Sequence, residues 1–571
     1  MRVALEPGPL GGAVILGSVL LAGSGGRVSW WITGALVTTV AAVVTVAVNE
    51  RTIVRWIIDW AEYRWRRESR ARARTATLEV SDVRVADGVC GVGDAGTILV
   101  AMIQLAPNLD LPTVITEESV YTEDTLPVSA VAAMLDQYGL TVDIDIVTTG
   151  QRIRSTGSYR MLYDQLIGPH PVVGNRSTWL VIRLDLDRNL AVLARRGPVT
   201  AVAPKALAAA AHRIAGRLRQ RGVSALVLPA TAMVEATRLL HAGVEISELR
   251  ETWRGLTSTV PGRRVTSYAL DWRDFGETTL EECWTWNSGH TTVVVSLTHH
   301  ADGPRVLVRY IGTDTTAPRY LKPLTGRQST ALLASLPTGE SVRSLPQAMW
   351  DSADRDAGGL RELTITIGPN GQIFGAISGR PRHTLALPLY DPSHYQPQSR
   401  RIDVCAELPV AQQFVLRATV VGAQVEIHTD RPGRWEHLVA AVGDPHCLRL
   451  ASAVEDERTD RSDAEPQTDT ATIAVFDHLP PRVSAAHTIM TVSEPGTDGP
   501  RPVDLTIHQV SPTTVDVGIP MRTVRVDLIE PRGETRYLEP VAEQNPGAIP
   551  PSVAAVPDPP RSVDHRVSAG E

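Results

Sequence analysis

Two pairs of aspartates have the spacing that a divalent cation requires, with a single apolar residue between the members of each pair. They are Asp143 with Asp145, and Asp185 with Asp187. Because successive side chains of a strand point to opposite faces, this spacing puts both carboxylates of a pair on one face. Such a face could hold the metal ion of a sugar-nucleotide transferase. The same alternation is typical of the exposed polar face of a half-buried strand, which is the simpler interpretation.

Three histidines lie close together in the sequence, and two of them could share one face of a hairpin: His290, His299 and His300. No cysteine or carboxylate accompanies them at the spacing of metal ligands, which favours solvated or partner-facing side chains. Ser288 does not form a nucleophile elbow, because it lacks the glycine that begins the GxSxG motif. The sequence therefore predicts no metal site and no catalytic residue here.

Two strand-loop-helix segments could bind nucleotide by topology, but both lack the residues for it. A P-loop needs glycines that free backbone N–H groups for phosphate, and a lysine that reaches the terminal phosphates. The segment from Ile402 to Ala418 has the loop CAELPVAQQ, which contains neither. The segment GRQSTALL, which begins at Gly326, lacks the lysine. Ordinary α/β connections are the better interpretation, and we expect no cofactor.

The elements that would position these residues alternate between strands and helices from residue 76 onward. Clear examples are the strand WLVIRLDL (Trp179 to Leu186) and two helices, PKALAAAAHRIAGRLRQRG from Pro204 to Gly222 and ATAMVEATRLL from Ala230 to Leu240. This alternation predicts layered α/β packing. We expect two cytoplasmic α/β domains, an acidic loop with a β-rich segment, and a disordered Pro-rich tail. Their predicted bounds are, in that order, 76–255, 256–450, 451–544 and 545–571.

Two local patterns within these regions predict specific elements. DTLPVSAVAAMLDQYG, from Asp124 to Gly139, is typical of a helix with a polar cap at its start and a glycine at its end. TITIGPNGQIFGAI, from Thr364 to Ile377, is typical of a hairpin that turns at Asn370 and Gly371.

The N-terminal residues 1–50 contain two apolar runs around a short Gly-rich turn. Ser29 to Val48 is uncharged over twenty residues, about the length that a helix needs to cross a bilayer. Leu10 to Gly23 is shorter and also apolar. The pair predicts a two-helix transmembrane hairpin. A signal peptide is the competing interpretation of the first run, but a clear cleavage site and a strongly basic start are both missing.

Residues 51–75 are predicted to form an Arg-rich amphipathic helix that lies along the membrane surface. Its tryptophans would sit among the lipid headgroups, while its arginines would meet anionic lipid or an acidic partner. The residues expected to make these contacts are Trp56, Trp60, Arg64, Arg66, Arg67, Arg70, Arg72 and Arg74. We call the last six of these the basic segment. The positive-inside rule places it in the cytoplasm, together with both termini and the bulk of the chain.

Composition excludes several other classes of protein. The net charge of −7 over 571 residues, without a recognition motif, argues against nucleic acid as a partner. The four cysteines are scattered without a CxxC pair, which fits a reducing compartment and argues against disulfides or a zinc site. Nearly all basic residues are arginines, a bias typical of the GC-rich coding of actinobacteria.

Three segments of the chain resemble the EccE family of the actinobacterial type VII (ESX) secretion system. They are DTLPVSAVAAMLDQYGLTVDIDIVTTGQR, YDQLIGPHPVVGNRSTWLVIRLDL and AQQFVLRATVVGAQVEIHTDRPGRWEHLVAAVGDP. The features most like the family are the segments Tyr163 to Gly168, Arg176 to Trp179 and Arg431 to Trp435, which we call the family segments. None is a catalytic motif. The long polar C-terminal end departs from the family pattern.

The resemblance implies a non-catalytic, multi-pass subunit of the cytoplasmic (inner) membrane. It would assemble with EccB-, EccC- and EccD-like subunits and stabilise a complex that exports small helical-hairpin proteins, while the EccC-like ATPase supplies the energy. Two alternatives follow from the residues themselves. The first is a membrane-tethered, metal-dependent enzyme like a glycosyltransferase, and the second is a membrane-anchored nucleic-acid binder.

Overall fold

The fold is mixed α/β, as the alternation of elements predicts. The computed structural model describes residues 3–5, 46–48, 51–52, 60–61, 63–65, 78–154, 157–260, 263–275, 280–287, 289–299, 303–312, 317–346, 363–451, 471–496, 502–520 and 522–538. Within these ranges, two large sheets contain most of the strands.

The first sheet has 12 strands, and all its pairings are antiparallel. From edge to edge, its main path is Arg250–Thr252, Gly255–Thr257, Arg264–Leu270, Arg305–Gly312, His290–Leu297, Asp143–Gln151, Asn175–Asp185, Ile98–Leu105, Gly88–Asp94 and Glu79–Val85. Ala225–Val227 pairs with Ile98–Leu105, and Leu321–Pro323 pairs with Arg264–Leu270. The central strands carry long apolar runs because both of their faces are buried.

Asp143–Gln151 pairs along its length with Asn175–Asp185 on one side and with His290–Leu297 on the other. One sheet therefore contains strands from both sides of the predicted boundary between 76–255 and 256–450.

Two long helices pack on this sheet and bury its outer strands. Val199–Gln220 lies against Ile98–Leu105 and Gly88–Asp94, and its alanines allow close approach of helix to sheet. It begins before Pro204, the residue at which the sequence predicts its start. Ala230–Leu240 packs against the same edge and has the bounds that its sequence pattern predicts.

The second sheet also has 12 strands, and it combines a parallel half with an antiparallel half. Its order is Leu448–Leu450, Val425–Thr429, Ile473–Asp477, Thr488–Ser493, Arg400–Cys405, Leu505–Ser511, Thr514–Ile519, Arg522–Leu528, Gln372–Ile377, Arg380–Leu387, Thr113–Ile115 and Val120–Tyr121. The first six strands are parallel to one another. Thr113–Ile115 belongs to this sheet although it follows a strand of the first sheet closely in sequence, so the chain passes between the two sheets more than once.

The helix Leu408–Val420 connects two parallel strands and is buried on nearly every side. The helices Arg160–Ile167, Gly433–Val442 and Thr535–Leu538 surround it. The remaining described helices are Val128–Ala132, Leu186–Ala194, Trp272–Phe275 and Gln328–Ala334, with 3₁₀ turns at Ile246–Glu248, Leu280–Trp284 and Val342–Ser344.

Both of the specific local predictions are wrong, and for the same reason. Thr125–Pro127 forms a strand that pairs with Thr364–Thr366, which leaves only Val128–Ala132 of the predicted helix. Gln372–Ile377 pairs instead with Arg380–Leu387 and Arg522–Leu528, so the two halves of the predicted hairpin lie in different sheets. Pairing between remote strands overrides the local pattern in each case.

Most of the predicted transmembrane hairpin lies outside the described residues, as do residues 452–470, at the start of the predicted acidic loop, and the tail 545–571. Near the N-terminus, Val46–Val48 pairs with Val3–Leu5 and with Arg51–Thr52 as short strands. The last three residues of the predicted span and the first two of the predicted amphipathic helix are thus strand rather than helix. Within the described part of the chain, no helix has the length and apolar character needed to span a membrane.

Candidate functional site

The first aspartate pair is part of the protein interior. Asp145 is buried, and its carboxylate forms an ion pair with Arg183 of the neighbouring strand. Asp143 pairs with Arg188 at 2.8 Å, and burial raises the pKa of the Asp143 carboxyl despite this cation. Both carboxylates therefore already have cationic partners. The interpretation of Asp145 as part of a solvent-exposed polar face is wrong, because the side chain is 1 % exposed.

The second aspartate pair is divided between two elements. Asp185 ends its strand and caps the helix Leu186–Ala194, since one of its carboxylate oxygens accepts a hydrogen bond from the Arg188 N–H at 3.1 Å. Asp187 is exposed in the first turn of that helix, where its charge is favourable to the helix dipole. The prediction of a strand that carries both side chains on one face is wrong. Among the described residues, no group of three or more potential ligands could hold a metal ion.

These locations predict different effects of asparagine at the two pairs. Asp145→Asn should lower the free energy of unfolding by about 2–3 kcal/mol, because the buried Arg183 loses its anionic partner but keeps its bonds to the carbonyls of Thr338 and Leu336. The double change of Asp185 and Asp187 to asparagine should cost less than about 1 kcal/mol, because asparagine also caps helices. Urea denaturation of the purified chain with and without Mn²⁺ measures both. If Mn²⁺ stabilised the wild type and the double change removed that stabilisation, the metal-site interpretation of Asp185 and Asp187 would be correct.

His290 and His299 lie too far apart to share a ligand. His290 begins its strand, where its Nε2 is 2.8 Å from the Thr149 hydroxyl, and burial lowers its pKa to about 3. His299 lies just beyond the other end of the same strand, with its Nε2 2.9 Å from an Asp136 carboxylate oxygen. His300 and Ser288 lie outside the described residues.

The two segments tested for nucleotide binding are closed connections. Only Ala406 and Glu407 join the strand Arg400–Cys405 to the helix Leu408–Val420, and the Glu407 N–H donates to the Gln509 side chain at 2.7 Å. At the other segment, a Cβ on Gly326 would lie 2.4 Å from the Trp253 ring, so glycine allows close packing rather than phosphate binding.

The carboxyl ends of parallel strands are where open α/β sheets generally bind ligands, and here this position is occupied by Asp477. Asp477 ends a parallel strand and is fully buried. It accepts hydrogen bonds from Arg431 at 2.7 and 2.9 Å, from the Trp435 indole at 2.8 Å and from the Thr429 hydroxyl at 2.8 Å. Arg431 also reaches Glu494 on the next strand end, at 3.4 Å. The Asp477 carboxylate thus lies where a ligand anion would bind. It also links its own strand to the strand Val425–Thr429 and to the helix Gly433–Val442.

A second buried ion pair fixes the C-terminal part of the fold. Glu534 and Arg417 are both 0 % exposed, and the guanidinium donates to the two carboxylate oxygens at 3.0 and 2.9 Å. The Tyr159 hydroxyl and the Gln413 amide donate to the same carboxylate. Arg417 further donates to the carbonyls of Ile373, Phe374 and Ile529. This ion pair, with Arg417 on the helix Leu408–Val420, therefore connects four remote parts of the chain.

The family segment from Arg176 to Trp179 has the same kind of role. Arg176 is buried and forms a bidentate pair with Glu281, with donor-to-acceptor distances of 3.0 and 2.5 Å. Its guanidinium also lies over the Trp284 ring, 4.9 Å from the centroid. In the first family segment, the Tyr163 hydroxyl accepts a hydrogen bond from the Ile373 N–H at 2.9 Å. With the Arg431–Asp477 pair, all three family segments make buried contacts across long sequence separations.

Arg309 is a buried cation whose partners are two helix ends and the Thr292 hydroxyl, rather than a carboxylate of the described residues. It donates to the Leu240 carbonyl, at the end of Ala230–Leu240, and at 2.6 Å to the hydroxyl of Ser335, which follows Gln328–Ala334. Helix C-termini carry partial negative charge, which compensates the guanidinium. Burial nevertheless lowers the pKa of Arg309 to about 10.

The membrane-surface or partner residues are described only in part. Residues 60–61 and 63–65 are helical. The Tyr63 hydroxyl donates to the Glu251 carbonyl at 3.1 Å, and its ring packs edge-on against Trp253 with centroids 5.4 Å apart. Trp60 and Trp65 are 54 % and 88 % exposed, and Arg64 is exposed. Trp56, Arg66, Arg67, Arg70, Arg72 and Arg74 lie outside the described residues.

The sequence alone predicts neither the Arg417 pair nor the Asp477 cluster. A signal for the first was present, because Arg417 interrupts the apolar helix sequence FVLRATV, and an arginine there requires a buried partner. No comparable signal marks Asp477, which simply ends a strand.

The fold and these contacts define a mixed α/β protein whose buried charged residues hold its own segments together. A sequence model described as "Putative type VII ESX secretion system translocon, EccE" matches residues 172–270. The ESX-2 secretion system protein EccE2 of Mycobacterium tuberculosis is 26% identical over 80% of this chain and 82% of its own length. ESX-1 secretion system protein EccE1 of Mycolicibacterium smegmatis is 28% identical over 65% and 72%, and ESX-5 secretion system protein EccE5 of Mycobacterium marinum is 29% identical over 43% and 62%.

The chain is thus similar to the EccE family model over residues 172–270, and to EccE proteins over most of its length. The resemblance found in the sequence is therefore confirmed, and the family match contains the buried Arg176 and the central strand Asn175–Asp185.

Proposed function

We propose that this chain is a non-catalytic membrane component of a type VII secretion complex, and that it stabilises the assembly that exports small helical-hairpin proteins. The observation that carries the proposal is that its best candidates for chemistry are held in internal ion pairs. Asp145, Arg176, Arg417 and Asp477 all bind partners within the fold. Residues used in this way stabilise a scaffold and are not available to a substrate. The names of the relatives, all ESX secretion system proteins, support the same role.

The glycosyltransferase alternative has no comparable support. It requires an open pair of carboxylates for a metal-bound sugar nucleotide. Asp143 and Asp145 each have an arginine partner, while Asp185 and Asp187 lie in different elements.

The partners we propose are EccB-, EccC- and EccD-like subunits together with lipids of the inner membrane, with the bulk of the chain in the cytoplasm. The apolar runs before residue 50 and the arginines after it support this orientation. The Tyr63 contact supports it further, because it holds the start of the basic segment against the first sheet while Trp60 and Trp65 remain exposed.

Neutralising the basic segment tests this proposal. Changing its six arginines to glutamine together should reduce recovery of the chain with the EccC- and EccD-like subunits by at least about tenfold, because each arginine near an anionic surface contributes about 1 kcal/mol. Any single change should alter recovery by no more than about fivefold, the factor that corresponds to about 1 kcal/mol. Affinity purification from solubilised membranes, with export of an ESX substrate assayed in the same strains, measures both effects.

A control variant carries six glutamines at exposed arginines elsewhere, namely Arg84, Arg254, Arg380, Arg434, Arg522 and Arg532. It has the same net charge as the test variant and should be recovered like the wild type. If the wild-type chain itself fails to purify with the secretion subunits, the proposed function is wrong. If both variants lose recovery equally, net charge rather than the basic segment is responsible.

A further inference from the structure

A tyrosine occupies a turn position that normally takes asparagine or glycine. Asp136–Gln137 and Leu140–Thr141 form an antiparallel hairpin whose two loop residues are Tyr138 and Gly139. Their φ angles are +53° and +83°, which is the left-handed pair of a type I′ turn. For a residue with a Cβ this conformation costs roughly 1 kcal/mol. The Tyr138 side chain is nevertheless 75 % exposed, so burial of its ring does not offset that cost.

The surrounding structure holds this hairpin rigidly. Gln137 is buried and donates to the Met134 carbonyl at 2.8 Å. The buried side chain of Asn189 accepts from the Thr141 N–H at 2.8 Å and donates to the Thr141 carbonyl at 2.9 Å. Arg196 donates to the Tyr138 carbonyl at 2.9 Å. The backbone that carries the tyrosine ring is therefore held in place, which limits the entropy lost when a partner covers the ring.

The surface around the ring is basic. The Arg213 guanidinium lies 5.0 Å from the ring centroid and donates to the Gln137 side chain. Arg196 and Arg217 are exposed and close enough to influence Arg213 electrostatically. Two carboxylates also lie nearby. Asp87 interacts electrostatically with Arg213, and Asp136 contacts His299. Three guanidiniums beside one rigid tyrosine leave an excess of positive charge.

We propose that the Tyr138 hairpin is a docking site for an acidic segment of another protein subunit. Carboxylates of that segment would pair with Arg196, Arg213 and Arg217, and an apolar side chain would pack on the exposed tyrosine ring. Arginine binds carboxylates through two parallel hydrogen bonds, and tyrosine and arginine are enriched at the energetic centres of interfaces. This inference rests on the proposed membership of a multisubunit complex. A protein segment is favoured over a lipid surface because the site is one small, rigid projection with cations on a single side.

Tyr138→Asn separates docking from folding, because asparagine adopts the left-handed conformation readily while removing the ring. The melting temperature of the full chain should stay the same or rise. Recovery of the EccC- and EccD-like subunits with the chain should fall by about tenfold, within the range expected for an interface tyrosine. The double change of Arg196 and Arg217 to glutamine should act in the same direction. Tyr121→Ser, which removes a 60 % exposed tyrosine from an edge strand of the second sheet, is the matched control and should change nothing.

A photoreactive phenylalanine at position 138, used in intact cells, identifies the occupant. A crosslink that mass spectrometry places in an acidic stretch of a secretion subunit supports the proposal. Three results would each overturn it. They are a crosslink to lipid, unchanged recovery of the subunits with Tyr138→Asn, and a fall in both the melting temperature and the recovery of that variant. Failure of the wild-type chain to recover any secretion subunit would instead refute the proposed function, so the two failures can be distinguished.

Discussion

Replacing Glu534 with alanine is expected to lower the free energy of unfolding by about 3–5 kcal/mol, the range found when one partner of a buried ion pair is removed. The carboxylate accepts hydrogen bonds from Arg417, Tyr159 and Gln413, and all four side chains are buried. Alanine would leave the Arg417 cation in the core without an anion. The helix Thr535–Leu538, which packs on the helix Leu408–Val420, should detach from it first.

The measurement is the unfolding midpoint of the detergent-purified full chain in urea, followed by tryptophan fluorescence. Glu530→Ala removes an exposed glutamate four residues earlier and should leave the midpoint within error of the wild type. The double change of Arg417 to methionine and Glu534 to leucine should lose less than Glu534→Ala alone, because no unpaired charge remains. A midpoint for Glu534→Ala equal to that of the Glu530→Ala control would show that the pair does not stabilise the fold.

The parts of this fold that sequence predicts correctly depend on local signals. The helix Ala230–Leu240 begins after Pro229 and has an apolar period that needs only its own residues. The central strand Asn175–Asp185 likewise has an apolar run long enough to identify it. The family resemblance is also local, since it rests on short segments that can be read without knowledge of the fold.

The parts that sequence does not predict depend on which strands become neighbours. Nothing in Thr125–Pro127 indicates that it will pair with Thr364–Thr366, and its local pattern favours a helix. The aspartate pair at Asp143 and Asp145 has the spacing of a metal site, and only the pairing with the strand that carries Arg183 shows that the carboxylate is neutralised within the sheet. Spacing identifies which side chains share a face, but not what lies against that face.

The use of arginine in the core follows from the same topology. Arg176, Arg309 and Arg417 are each fully buried, where an unpaired charge would be strongly destabilising. Their partners come from segments that are distant in sequence: Glu281, two helix ends and Glu534. Each arginine can therefore be buried without a large free-energy cost only when its remote partners are all in place. This property suits a scaffold that must present a fixed surface to other subunits.

Asp477→Asn is expected to lower the free energy of unfolding by about 2–4 kcal/mol near neutral pH. The amide has nearly the same shape, but it cannot accept all the hydrogen bonds from Arg431, Trp435 and Thr429. It also leaves Glu494, at 3.4 Å, as the remaining anionic partner of the guanidinium. Asp430→Asn changes an exposed aspartate beside Arg431 and serves as the control, with an expected loss below about 0.5 kcal/mol.

The difference between wild type and Asp477→Asn should also depend on pH in a defined direction. Burial by itself would raise the pKa of Asp477, but hydrogen bonds from Arg431, Trp435 and Thr429 outweigh it, so the pKa lies below the ordinary value of 3.8. A carboxyl with a lowered pKa stabilises the fold fully above its unfolded pKa, and this contribution disappears as the pH falls through the folded value. Urea midpoints of both proteins should therefore differ by a constant amount from pH 8 to about pH 5 and converge in stronger acid. A difference that is absent at neutral pH, or that grows on acidification, would contradict the assignment of Asp477 as the ionised centre of this cluster.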